Sequence, residues 1–116
     1  MATISSTAIV GPPYAAGATW ALANTDDGVA VDLHEYSDRS VQVSGTFGVG
    51  GTVVIEGSNN GTVWSTLRDP QGTTLSFTAV GLRAVSEMTR HIRPRVTAGD
   101  GTTALSVALF VRRTIR

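Results

Sequence analysis

The sequence lacks cysteine and lysine altogether, and it has only two histidines. Without cysteine, neither a disulfide nor a thiolate metal site can form. The histidines are too few for a histidine-built zinc cluster without carboxylates. No apolar run approaches the ~20 residues of a membrane helix. The first residues show neither a basic leader nor a sustained apolar core, so we expect synthesis in a cytoplasm and no membrane partner.

Motifs of the common catalytic centres are also missing. No G-x-S-x-G nucleophile elbow occurs, and the glycines at 48–51 precede a predicted strand, not the helix that a phosphate loop needs. A glycoside hydrolase needs two facing carboxylates, and nothing singles out a pair among Glu35, Glu56 and Glu87. We therefore predict no catalytic residue, no cofactor and no enzymatic activity.

Two groups of possible metal ligands fail on spacing. Asp26, Asp27 and Asp32 do not follow the alternation of a calcium loop. His34 would need a second histidine four residues later to form a zinc-protease motif, and that position is Asp38. We predict no metal site, with the aspartates in a solvated turn.

Residues 39–67 organise the rest of the chain. Apolar and polar residues alternate from Val41 to Phe47 and again from Thr52 to Glu56, which is typical of strands with one buried face. The glycine-rich segments 48–51 and 59–61 supply the turns of tight hairpins. We predict three strands joined by these two turns.

Similar alternation predicts further strands at 19–23, 29–33, 73–78, 89–97 and 103–111, at a spacing of about ten residues. The stretch 79–88 is open between a helical turn and a loop with a short strand. Pro94 predicts that its strand lies at an edge or beside a bulge. The fold class is all-β: an antiparallel β-sandwich or jelly roll of about eight strands, forming one domain at 19–116.

Residues 1–18 are predicted to form an extended N-terminal arm. Pro12 and Pro13 lack the backbone donor that a central ladder needs, and the stretch has no clear period. A frayed terminus is the alternative. As an arm it would lie along a partner, with Tyr14 and Trp20 as aromatic anchors. Trp64 is predicted to pack in the core, the alternative being a cap at one end of the sandwich.

Formal net charge is zero, but the charges are uneven along the chain. Residues 1–69 hold seven acids and two arginines, and residues 70–116 hold seven arginines and two acids. The strands of a sandwich could equally intermix these charges in space.

His91, Arg93 and Arg95 share one strand face, Phe110 lies on an outward face of low polarity, and Arg112 and Arg113 follow it. We predict these residues as a partner interface; zero net charge and few aromatic residues argue against nucleic acid.

The sequence resembles small virion proteins of tailed bacteriophages over about two-thirds of the chain, from Val41 onward, and five segments carry the resemblance. They are GTFG (45–48), EGSNNGTVW (56–64), DPQG (69–72), IRPRVT (92–97) and GDGTT (99–103). The segment from Ser58 to Trp64 is also similar to discoidin and carbohydrate-binding jelly rolls.

The phage resemblance implies a capsid cement or decoration protein on the virion surface. Its partner would be the major capsid protein, and it would act as a homo-oligomer. A tail or fibre module that binds host glycan through Trp20, Tyr36 or Trp64 is the alternative. A head-completion or tail-tube protein is a third.

Overall fold

The computed structural model describes residues 3–4, 7–9, 15–33 and 36–113, with 7–9 described for the backbone only. These residues form an all-β structure. Its strands are β1 (Thr3–Ile4), β2 (Thr7–Ile9), β3 (Ala15–Ala23), β4 (Asp27–Gly28), β5 (Val31–Asp32), β6 (Asp38–Thr46), β7 (Thr52–Ser58), β8 (Ser65–Thr66), β9 (Ser76–Phe77), β10 (Gly81–Ala84), β11 (His91–Ala98) and β12 (Ala104–Arg112). No helix in this part of the chain is long and apolar enough to cross a membrane.

The strands form two sheets. Sheet A follows the order β1-β4-β11-β7-β8, with β5 beside β11 and β9 beside β7. Sheet B follows the order β10-β6-β12-β3-β2. The β1–β4 pair is parallel, and the neighbouring β4–β11 pair, like the long pairs β11–β7, β12–β6 and β12–β3, is antiparallel. The prediction of an all-β sandwich or jelly roll is confirmed.

Apolar residues at alternate positions of the strands in both sheets form the core. In sheet B, Val43 lies opposite Val107, and Val107 lies opposite Trp20 on the other side. All three are at most 2% exposed. Sheet A contributes Val53 and Ile55 from β7, together with inward residues of β11. Every second residue of a strand faces the same side, so these apolar positions meet between the sheets.

The glycine turn at 48–51 does not form a hairpin within one sheet, as the sequence predicted. It connects β6 in sheet B to β7 in sheet A, and the Asp-Gly turn at 99–101 connects β11 to β12 in the same way. Gly48 and Gly50 adopt φ values of 73° and 70°, which glycine reaches without steric cost. Turn chemistry thus indicates where the chain reverses, but not whether it stays in its sheet.

Asp100 joins these two corners. Its carboxylate accepts hydrogen bonds from the backbone nitrogen of Val49 (2.9 Å) and from the hydroxyl of Thr102 (2.6 Å). The Thr103 hydroxyl donates to the Phe47 carbonyl at 2.8 Å. The hydrogen bond from the Thr102 hydroxyl is the largest cause that lowers the pKa of Asp100, and the backbone donors lower it further.

The pKa of Asp69 is also lowered, chiefly by its hydrogen bond from Arg83.

We expect Asp100→Asn to destabilise the fold at pH 7 and to do so less at pH 3. The folded-state pKa lies below the unfolded value of about 3.9, so the carboxylate stabilises the fold above that value. This contribution is lost as pH falls through the folded pKa. Urea unfolding of both proteins at the two pH values measures the difference. An equal destabilisation at pH 3 and pH 7 would show that the carboxylate's charge is not responsible.

Pro94 lies inside sheet A, although the sequence predicted an edge or a bulge. Its strand β11 pairs along one side with β7. On the other side, β4 pairs at Arg95 and β5 at His91 and Ile92, which leaves Pro94 between them. The backbone N–H of Val96 donates to the Asp26 carbonyl on that side. Backbone nitrogens two residues apart in a strand point to the same side, so the nitrogen of Pro94 faces the gap between β4 and β5. The missing donor therefore costs no ladder bond, and the irregularity falls instead between Val96 and Ala98.

The N-terminal stretch was predicted as an arm outside the sandwich, and its described parts differ from that. The strand expected at 19–23 begins at Ala15, because small residues there continue the pairing with β12 up to Arg112. β2 pairs with β3, and β1 pairs with β4.

The stretch 79–88, for which the sequence left two alternatives, contains the short strand β10 at the edge of sheet B.

Candidate functional site

The structure does not bring the predicted interface residues to one surface. His91, Arg93 and Arg95 lie on the outer face of sheet A, in register with Ser58, Glu56 and Val54 of β7. Phe110 and Arg112 lie on the outer face of sheet B, and half-buried Arg113 follows that strand. Pro12, Pro13 and Tyr14 lie outside the described residues. Trp20 lies in the core.

Trp20 is therefore not a surface anchor, and this prediction is wrong. It is 2% exposed, and its indole nitrogen donates to the Val29 carbonyl at 3.0 Å. It shares the inward side of β3 with Ala18 and Leu22. Tyr36, the second aromatic residue of the glycan alternative, packs against the same core.

The outer face of sheet A carries a closed charge cluster. Arg93 Nε lies 3.1 Å from Glu56 Oε1, and Arg95 Nη2 lies 3.0 Å from Glu56 Oε2. The Glu56 side chain is only 7% exposed, whereas those of Arg93 and Arg95 are 24% and 41% exposed. One buried carboxylate thus holds both guanidinium groups, which reduces what they can offer to a phosphate backbone.

Trp64 is part of this cluster and not of the core, so the core prediction is wrong. The guanidinium carbon of Arg93 lies 4.1 Å from the centre of the Trp64 ring, within the range of a cation–π contact. The residue is half-buried and follows the turn at 59–61, where the Asn60 side chain accepts from the backbone of Thr62 and Val63. This turn directs the tryptophan over the outside of the sheet.

The acidic and basic halves of the sequence intermix in the folded chain. Among the described residues, acids from 1–69 pair with arginines from 70–116 in five ion pairs: Asp69–Arg83, Asp32–Arg90, Glu56–Arg93, Glu56–Arg95 and Asp38–Arg112. The uneven charge along the chain therefore reflects strand pairing, not two separate charged surfaces.

The outer face of sheet B is the most unusual surface, because charge is absent from nearly all of it. We call it the neutral face. Its positions, taken from four neighbouring strands, are Ala15, Gly17, Thr19, Ala21, Ala23, Ser40, Gln42, Ser44, Thr46, Leu82, Ala84, Ala104, Ser106, Ala108 and Phe110. Only the Asp38–Arg112 pair at one end of these described strands carries charge. Phe110 is 55% exposed and Leu82 is 64% exposed.

Phe110 stands among small residues on this face. Its neighbours in register are Gly17 on β3 and Ser40 on β6, so the ring rises above them. At the opposite end of the face is a shallow hollow, lined by Ala21, Leu22, Ala23, Asp26, Gly45, Ala104, Leu105 and Ser106. The face therefore presents an aromatic projection at one end and a mostly apolar depression, with the carboxylate of Asp26 at its border, at the other.

Two gaps reach between the sheets. The smaller measures about 10 Å³ and is lined by Trp20, Val41, Ile55, Ile92, Pro94, Val107 and Leu109 among others, which is about the space one water molecule needs. The larger measures about 230 Å³, and its mostly apolar lining includes Ala16, Ala18, Val31, Asp32, Leu33, Tyr36, Leu109 and Val111. Within the described ranges, no three His, Asp or Glu side chains lie close enough together to hold a metal ion.

Sequence reasoning missed two of these features. Leu82 lies in the stretch left open at 79–88, and it joins the neutral face only because β10 pairs with β6 at Gln42. Glu56 was weighed as a catalytic carboxylate, but the pairing of β7 with β11 makes it the partner of two arginines. Neither fact has a local signal, since both depend on pairing between distant segments.

No protein-family model matches the sequence, and no curated protein matches it either. Three solved structures are similar to it at low identity. The cupin domain of Schizosaccharomyces pombe Cnp3 has 11% identity and a TM-score of 0.50, with 96% of this chain and 60% of that chain covered. A Bordetella pertussis cupin domain has 12% identity and a TM-score of 0.48, with 97% and 95% covered. A cupin-2 domain protein of Shewanella frigidimarina has 13% identity and a TM-score of 0.45, with 93% and 79% covered.

The predicted role as a phage capsid cement protein, with a glycan-binding tail module as its alternative, is wrong. The chain resembles cupin domains, and it spans about 60% of the S. pombe domain's length. At such identities the likeness shows the shared jelly-roll fold and nothing about activity. The resemblance of the five turn and strand segments to virion proteins, the virion location and the absence of enzymatic activity stay predictions.

Proposed function

We propose that this protein is a non-catalytic β-sandwich module that pairs with a second copy of itself through the neutral face. The observation that carries the proposal is a broad sheet face that has charge only at its two ends and exposes Phe110 and Leu82. Exposed apolar patches on folded proteins commonly mark interaction sites.

The area of the neutral face suits a dimer. Strands about 4.8 Å apart with a rise of about 3.3 Å per residue give the four strands of this face an area of roughly 500 Å². A standard protein interface buries about 800 Å² on each partner. Contact across this face would thus account for more than half of a standard interface.

Charge favours a second copy over an unrelated partner. A two-fold interface brings the same surface together from both sides, so an unpaired charge close to the axis would meet its like. The middle of the neutral face avoids this. Its described charges lie at the two ends: the paired Asp38 and Arg112, 3.2 Å apart, at one end, and the largely buried Asp26 in the lining of the hollow at the other. A surface without charge has little with which to select a particular foreign partner.

Shape favours the same arrangement. Suppose that two neutral faces pack against each other about a two-fold axis that crosses β12 near Ala108. The β12 strands of the two copies would then run in opposite directions. Phe110 of each copy would then lie over the hollow beside Ala104 and Ser106 of the other. An aromatic side chain in an apolar pocket is the usual form of an interface hot spot.

Sedimentation velocity over a wide range of protein concentration tests the proposal. We expect a monomer–dimer equilibrium with no larger species, because a two-fold contact closes on itself. Hydrogen exchange at high and low concentration should show protection on β12 and β3. A monomer at every concentration, or protection confined to sheet A, would overturn the proposal.

A further inference from the structure

Arg39 is a buried guanidinium whose hydrogen-bond acceptors are all backbone carbonyls. The residue is 6% exposed and faces inward at the end of β6. Its Nε donates to the Tyr36 carbonyl at 3.2 Å, and Nη2 donates to the Leu33 carbonyl at 3.2 Å. Nη1 lies 3.4 Å from the Glu87 carbonyl. Three of its five N–H groups are thus engaged.

These acceptors do not neutralise the charge. Buried charges in proteins are normally paired, since carbonyl oxygens carry only partial charge. Within the described ranges no carboxylate forms an ion pair with Arg39, and the neighbouring Asp38 pairs with Arg112. Burial lowers the pKa of the Arg39 guanidinium, which reflects the cost of holding it charged there.

A surface pocket of about 360 Å³ has Arg39 among its lining residues. It is lined by Tyr36, Ser37, Arg39, Asn59, Met88, Thr89 and Arg90. Arg90 brings a second guanidinium, whose Nε pairs with Asp32 at 3.2 Å and whose side chain is 58% exposed. With Asp32 compensating Arg90, the pocket retains one positive charge from Arg39. The hydroxyls of Tyr36 and Ser37, the amide of Asn59 and the side chain of Met88 line the rest, while the Thr89 hydroxyl donates to the His91 carbonyl at 2.8 Å.

We propose that this pocket binds a small phosphate-type oxyanion, with Arg39 as its principal charge partner. The planar fork of a guanidinium matches two oxygens of such an anion, and hydroxyl groups satisfy the others. The bound anion would supply the counter-charge that Arg39 lacks among the described residues. This site is separate from the neutral face and does not depend on pairing between copies.

Titration of the full chain with inorganic phosphate, followed by amide NMR at constant ionic strength, tests the site. We expect saturable shifts at residues 36–39 and 88–90, and much weaker shifts with acetate at the same ionic strength. Arg90→Gln should weaken phosphate binding about tenfold, because it removes one guanidinium from the rim. Arg68→Gln removes the same charge from an exposed side chain that does not line the pocket, and it should leave binding unchanged.

Two further variants decide the role of Arg39. Arg39→Lys keeps the charge but removes the fork, so phosphate binding should fall while the folded spectrum persists. Glu35→Gln tests whether Glu35, outside the described residues, already supplies the counter-charge. If phosphate binds only to this variant, the proposal is overturned. Non-saturable shifts spread over the surface, or equal effects of Arg90→Gln and Arg68→Gln, would overturn it too.

Discussion

Replacing Phe110 with aspartate should abolish pairing between copies and raise the dimer dissociation constant by at least ~100-fold. The two-fold contact places the change twice in each interface. Each copy would lose its aromatic projection and bury an unpaired carboxylate in the apolar hollow of the other. Because Phe110 is 55% exposed in the isolated chain, the fold itself should be nearly unaffected. Sedimentation equilibrium measures the dissociation constant, and urea unfolding at low concentration reports on the fold.

Val63→Asp is the matched control for this experiment. Val63 is 69% exposed and lies in the loop before β8, away from the neutral face. It should leave the dissociation constant unchanged, whereas Ser106→Glu, in the hollow, should act like Phe110→Asp. Equal loss of pairing in Val63→Asp would indicate a general effect of charge. Intact pairing in Phe110→Asp would place the interface elsewhere.

Glu56→Gln should lower the free energy of unfolding by about 2–3 kcal/mol. The amide keeps the size of the side chain but no longer neutralises Arg93 and Arg95, which both lie against it. The Glu56 side chain is 7% exposed, so water cannot fully replace the lost carboxylate. The penalty stays below that of a fully buried pair, because Arg95 can turn toward solvent. Urea unfolding at pH 7 measures it.

Asp32→Asn provides the comparison for an exposed pair. The Asp32 and Arg90 side chains are 39% and 58% exposed, so this change should cost less than 1 kcal/mol. A cost for Glu56→Gln no larger than that for Asp32→Asn would mean that the cluster on sheet A behaves as ordinary surface charge. The contact of Trp64 with Arg93 should then also be dispensable.

The strands could be predicted from the sequence, because a period of two is a local property. Val41, Val43 and Val107 alternate with polar neighbours, and each lies where that pattern put it. What could not be predicted is which strands share a sheet. The turn at 48–51 has the composition of a hairpin, yet it passes between sheets. Nothing within a turn encodes this choice, since it depends on which distant strand pairs more favourably.

The candidate site shows the same limit. Phe110 was identified because, in its strand, apolar inward residues alternate with mostly small outward residues. This pattern can be seen within one segment of the sequence. Leu82 and the hollow opposite Phe110 arise from pairings between β10, β6, β12 and β3, which the sequence does not reveal. The predicted role failed for a related reason. Motifs such as DPQG and GDGTT specify turns, and proteins of unrelated function use the same turns.

The position of β12 has a consequence for how the chain matures on the ribosome. This strand lies in the middle of sheet B, between β6 and β3, although it follows both in sequence. A nascent chain that has not yet reached Ala104 thus exposes the open edges of two partner strands along their whole length. Since domains with such distant pairings fold slowly, sheet B can be completed only after β12 has been translated, and chaperones that shield open strands can act in the interval before that.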